Sequence, residues 1–132
     1  MKRFLAILVI LAIFVAIAVT DGKTKLYAAF PTASTEVETA HGRKTGSASL
    51  LMLYRGATAS TLTLDDVDAI TVLELLKADV KSVYEVDGAT VIEAHSTMLR
   101  CGVSLPHGVI NLMIAVRADC IKVGIPTLVG AY

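Results

Sequence analysis

The chain contains no tryptophan, no glutamine, a single asparagine (Asn111), two cysteines and three prolines. Its basic and acidic residues balance at 12 each, so it carries no net charge with histidine neutral. The absence of a basic stripe, together with only four tyrosines and three phenylalanines, excludes a nucleic-acid binder that works by phosphate neutralisation and base stacking. Two cysteines, Cys101 and Cys120, are too few for a disulfide-rich scaffold and form no Cys-x-x-Cys pair. The three histidines, His41, His95 and His107, form no His-x-x-x-His pair, so no zinc site is expected. The loss of amide residues resembles heat-adapted composition, but the Lys/Glu enrichment that should accompany it is missing.

What is present is apolar residue: 55% of 132 positions are hydrophobic and only 18% are charged. Such a chain can bury enough surface to offset its ordering entropy, which excludes intrinsic disorder, and its length suits one domain.

The start of the chain bears on compartment. Lys2 and Arg3 precede sixteen uninterrupted apolar residues, Phe4 to Val19, and then polar Thr20-Asp21-Gly22-Lys23. This is the layout of an export signal, and Ala16-Ile17-Ala18 supplies the small-x-small pattern of a cleavage site. Cleavage after Ala18 would leave 132 − 18 = 114 residues with net charge 10 − 12 = −2. An uncleaved anchor is the alternative, with Lys2 and Arg3 held in the cytoplasm. Sixteen residues at about 1.5 Å each reach about 24 Å, short of the ~30 Å hydrocarbon core. The third alternative is a helix buried in the domain, which would make the protein cytoplasmic. The pilin type of leader is excluded, because Arg3 stands where its processing site needs Gly and Leu8 stands where the helix needs Glu.

Residues 1–19 are thus expected to be a signal peptide or signal anchor, and 20–132 a single α+β domain. Lys25 to Phe30 reads as a short strand ended by Pro31, and 31–49 as a polar loop. Ser49 to Arg55 reads as a buried strand, with Thr58 to Leu64 as its partner. Ala69, Val72, Leu73, Leu76 and Val80 recur at helical spacing, which places a helix over 65–78 with Asp65, Asp66 and Asp68 at its positive end. A side chain of Thr63 or Asp65 is positioned to cap it. Asp87-Gly88 between Val83–Val86 and Ala89–Ile92 predicts a two-residue type I′ hairpin, pairing Val86 with Ala89, Tyr84 with Val91 and Val83 with Ile92. Ala94 to Cys101 reads as a short helix. A second long helix is expected over 109–122, from Val109, Leu112, Met113, Val116 and Cys120 on one face and Gly124 as its stop. Ile125 to Tyr132 reads as a closing apolar strand. An ungapped overlay of Val15–Phe30 on Arg117–Tyr132 hints at an internal repeat of helix, glycine and strand. The expected architecture is a small, mostly antiparallel sheet with the helices 65–78 and 109–122 on one face.

Candidate chemistry is sparse. His95, Cys101 and His107 are near enough in sequence for a Cys/His site, but their spacing of six and six matches no helix face. Gly42-Arg43-Lys44-Thr45-Gly46-Ser47 departs from a phosphate loop, because Ser47 occupies the place of the lysine that must follow the second Gly. Arg43, Lys44, Gly46 and Ser47 retain only the makings of a loose anion site. Cys101 and Cys120, with eighteen residues between them, would close a loop worth about 3 kcal/mol in an oxidising compartment, or remain buried thiols. The expected function is therefore an exported or membrane-tethered, non-catalytic domain that binds a protein partner or self-associates. The alternative is a small enzyme with a site at the 31–49 loop or around His95, Cys101 and His107. No cofactor, metal or nucleic acid is expected, and contact with a membrane is expected only through residues 4–19.

Overall fold

The computed structural model describes residues 2–20, 22–39, 42–48 and 57–128. Its helices are α1 (Lys2–Thr20), α2 (Gly22–Ala29) and α3 (Ala69–Leu75). Its strands are β1 (Ser34–Thr39), β2 (Gly42–Ser47), β3 (Ala57–Leu64), β4 (Asp79–Val86), β5 (Ala89–His95), β6 (Val103–Leu105), β7 (Gly108–Ile110), β8 (Leu112–Val116) and β9 (Ile121–Ile125). Seven strands form one antiparallel sheet in the order β2-β1-β3-β9-β8-β5-β4, and β6 pairs with β7 apart from it.

Side chains alternate across the sheet, so one face carries Leu62, Leu64, Ala94, Leu112, Ile114, Ile121 and Val123 into a single core. Helices α2 and α3 cover this face through Leu26, Tyr27 and Val72, with Leu76 at the C-cap of α3, all fully buried. On the opposite face Val91, Ile110 and Met113 form a smaller cluster with Tyr84, Val103, Leu105 and Leu128. Strand β8 lies between the two clusters, with Leu112 and Ile114 toward one and Met113 toward the other.

The mixed composition and the mostly antiparallel sheet agree with expectation, but the sheet is larger and its helices differ. The expected helix over 109–122 is instead β7, β8 and β9. Its apolar residues satisfy a period of 3.6 only because the segment is apolar almost throughout, as a strand buried on both faces must be. The turn between β8 and β9 is closed by Arg117 N donating to Cys120 O at 2.9 Å. The expected strand over 25–30 lies largely in helix α2, where Leu26, Tyr27 and Phe30 reach the core from one helical face. Residues 31–49, read as a loop, contain the β1–β2 pair.

Helix α3 is shorter than 65–78, because Asp66 (φ 56°) and Lys77 (φ 49°) take left-handed conformations on either side of it. Asp68 occupies its N-cap position without a side-chain bond, so neither Thr63 nor Asp65 is the cap. The expected helix over 94–101 is the end of β5 and a turn. Asn111 holds that turn: its Oδ1 accepts from Ser96 N at 2.7 Å and its Nδ2 donates to Ser96 O at 2.7 Å. Ser96 Oγ in turn donates to Leu76 O, and Gly22 N donates to Met98 O at 2.9 Å, which ties both helices to the turn. The closing strand over 125–132 is replaced by β9, which ends at Ile125 before Pro126; residues 129–132 lie outside the described residues. The strand expected over 49–55 also lies outside them. The internal repeat finds no support in these elements, since Val15–Phe30 falls on two helices and its counterpart on β9.

The predicted hairpin has the expected register: Val86 opposite Ala89, Tyr84 opposite Val91, Val83 opposite Ile92. Asp87 (φ 50°) and Gly88 (φ 77°) both take the positive angles of a type I′ turn.

Candidate functional site

An ion pair lies at the β6–β7 hairpin. Alternation along β5 puts Glu93 on the same face as Val91, opposite Met113 of β8, and leaves it only 6% exposed. A carboxylate taken out of water needs a partner. The β6–β7 turn, Pro106-His107, supplies one, with His107 Nε2 3.1 Å from Glu93 Oε1. Val103 and Leu105 of the same hairpin pack against the second apolar cluster, so the contact and the packing hold one element in place. Chemically, a carboxylate on one imidazole nitrogen fixes the orientation of the ring.

Of the residues singled out for a Cys/His site, His107 is thus engaged by Glu93. His95 ends β5 opposite Asp79, and Cys101 is exposed between β5 and β6. Glu93 was not singled out from the sequence. Its signal was there: extending the predicted hairpin pattern along β5 places an acidic residue at an inward position between Val91 and the second half of the strand. His41 lies outside the described residues.

Arg43, Lys44, Gly46 and Ser47 belong to β2, an edge strand paired with β1. Strand geometry sends Arg43 and Lys44 to opposite faces, with Arg43 directly across from Glu38. The Asp65–Asp68 segment lies beside a hollow of about 350 Å³ lined by Asp66, Asp68, Asp119 and Cys120 among others. Among the described residues, no group of three His, Cys, Asp or Glu is arranged to hold a metal ion. Neither Cys101 nor Cys120 is in a disulfide. Desolvation pushes the Cys120 thiol above its ordinary value, helped by the charge and hydrogen bond of Asp119 and the charge of Asp65.

Two buried hydroxyls lie in the main core. Tyr27 Oη and Ser60 Oγ approach each other where α2 meets β3, yet neither has a hydrogen-bond partner of acceptable geometry. Burial raises the Tyr27 pKa above its ordinary value, with Ser60 opposing the shift.

Helix α1 contrasts with all of this. Phe4, Leu5, Ile7, Leu8, Val9, Ile10, Leu11 and Ile13 are 47–68% exposed, and at 100° per residue they cover every side of the helix. Among the described residues, no helix is long and apolar enough to cross a membrane. In comparisons with known proteins, no family model, no curated protein and no solved structure matches this chain.

Proposed function

We propose that this protein is an exported, non-catalytic sheet domain that acts by association, and that α1 is its export signal. The observation that carries this reading is the change in burial between the first two helices: the large apolar residues from Phe4 to Ile13 of α1 are exposed on all sides, whereas Leu26 and Tyr27 of α2 are fully buried. A helix apolar all round has no place on the surface of a domain in water, and a length short of a full span suits the apolar segment of a signal peptide. Cleavage after Ala18 leaves three residues before the core-facing helix begins at Gly22. The remaining domain would keep every described residue of both apolar clusters.

Association is supported by the folded domain's own exposed apolar residues, Ile70, Val80, Val83 and Val109. The competing enzyme reading has the Glu93–His107 contact in its favour, since an oriented imidazole is half of a nucleophile-activating pair. We read that contact as a tether, because it joins the packed hairpin to β5.

The test is the intact mass of the protein from its native source, with its cellular fraction. Loss of residues 1–18 and recovery outside the cytoplasm is the expected result. A full-length mass in the cytosol would overturn the export half. A functional assay of alanine variants at His95, Cys101 and His107 separates the other half: activity lost in a folded, still-associated variant would put the enzyme reading first.

A further inference from the structure

Among the described residues the sheet has two open edges, β2 and β4. β2 carries Arg43 and Lys44; β4 carries two exposed large apolar residues, Val80 and Val83. We infer that β4 is a self-association edge, on which a second copy of the chain pairs antiparallel about Val83 to continue the sheet. This deepens the association reading and rests on it.

The hairpin decides which backbone groups face outward. Val86 and Ala89 flank a two-residue turn, so they exchange hydrogen bonds with each other, and Tyr84 and Val91 do so two positions on. The intervening residues of β4, Val83 and Glu85, therefore turn their N–H and C=O groups toward the open edge. A two-fold axis beside Val83 lets the two copies of that residue exchange both bonds.

Charge selects this register from the alternatives. Centring the pair on Lys81 or Glu85 would set like charges face to face. Centring it on Ser82 opposes Val83 to Lys81, and centring it on Tyr84 opposes Val83 to Glu85. Centring it on Val83 places Lys81 opposite Glu85 of the second copy twice. The register is regular from Ser82 to Val86, and the shift at Lys81 takes Val80 and Asp79 out of this pairing. Lys81 and Glu85 are exposed, and neither makes an ion pair within the chain among the described residues.

Lysines and bulges commonly blunt open edges, and β4 has a register shift between Val80 and Ser82 beside Lys81. Here the same lysine is the complement of Glu85 across the axis, so it rejects other edges while fitting its own.

The experiment is sedimentation velocity on the full chain in a non-ionic detergent, which shields α1. The wild-type chain should be dimeric, and Lys81→Glu and Glu85→Lys should each be monomeric when alone. Mixed in equal amounts they should recover the dimer, because the mixed pair restores both Lys–Glu contacts. Val83→Pro, confirmed folded by circular dichroism, should not dimerise in any mixture. A dimer indifferent to either charge reversal, or a mixture that stays monomeric, overturns pairing through β4. In the first case self-association through another surface, α1 included, still holds. A monomeric wild-type chain overturns both β4 pairing and self-association, leaving only a different partner.

Discussion

At the scale of single residues, the informative positions are those whose surroundings leave no freedom. A Cβ on Gly124 would lie 2.5 Å from the backbone of Thr127 and Leu128, because the chain doubles back over β9 after Ile125. Backbone cannot swing aside as a side chain can, so Gly124→Ala should cost on the order of 1–3 kcal/mol, read from the urea midpoint. The sequence marked Gly124 as a helix stop; its role is close approach. Tyr27 makes the opposite case, since its buried hydroxyl has no partner to lose. Tyr27→Phe should raise stability at neutral pH by about 1 kcal/mol, because a desolvated, unbonded hydroxyl is removed. The pH profile adds a second signature. Burial raises the folded-state pKa, so above about pH 10 the unfolded tyrosine releases a proton that the folded one still holds. Wild-type stability should therefore fall as pH climbs past 10 more steeply than that of Tyr27→Phe, in parallel urea titrations. Equal slopes would show that Tyr27 is not the group responsible.

At the scale of elements, the two hairpins on either side of β5 carry the sharpest expectations. Gly88 has open space around a hypothetical Cβ, so only its backbone angle resists substitution. Gly88→Val should cost about 1–3 kcal/mol through a β-branched residue at positive φ, and unchanged thermal stability would argue against the turn type. His107→Ala should destabilise by about 1–3 kcal/mol, because Glu93 is left buried without its partner. Adding Glu93→Gln should return part of that loss, and a strictly additive double variant would mean the contact is not a tether. The β4–β5 hairpin was legible down to its register because Asp-Gly is local chemistry that no distant contact overrides. The misread segments share one property. Residues 109–122 and 25–30 are apolar enough to fit either period, and what decides is the assembled sheet: β8 has a core on both faces, whereas α2 lays one face over the main core. The buried pair was half legible for the same reason: His107 stood out as a histidine in a turn, whereas Glu93 acquires its meaning only from the side of the sheet it faces. Asn111 offered no local clue, since its partners are the Ser96 and Leu99 backbones on another strand connection.

At the scale of the whole molecule, the core begins at α2, and the first helix adds nothing to either apolar cluster among the described residues. A chain beginning at Val19 should therefore unfold at the same urea concentration as the full chain in detergent. A marked drop would mean that α1 belongs to the folded unit and would return the buried-helix alternative. The sheet's seven-strand span also sets how the molecule meets its surroundings, since helices cover one face and a small hairpin only part of the other. The lone asparagine has a further consequence. Side-chain amides hydrolyse slowly wherever water and a mobile backbone reach them, and this chain has no glutamine and one asparagine, fully buried and bonded at both ends of its amide. Its one exposed route to deamidation is thereby closed for as long as the fold persists. Deamidation would then be governed by the lifetime of the fold itself, and unfolding once would start the clock.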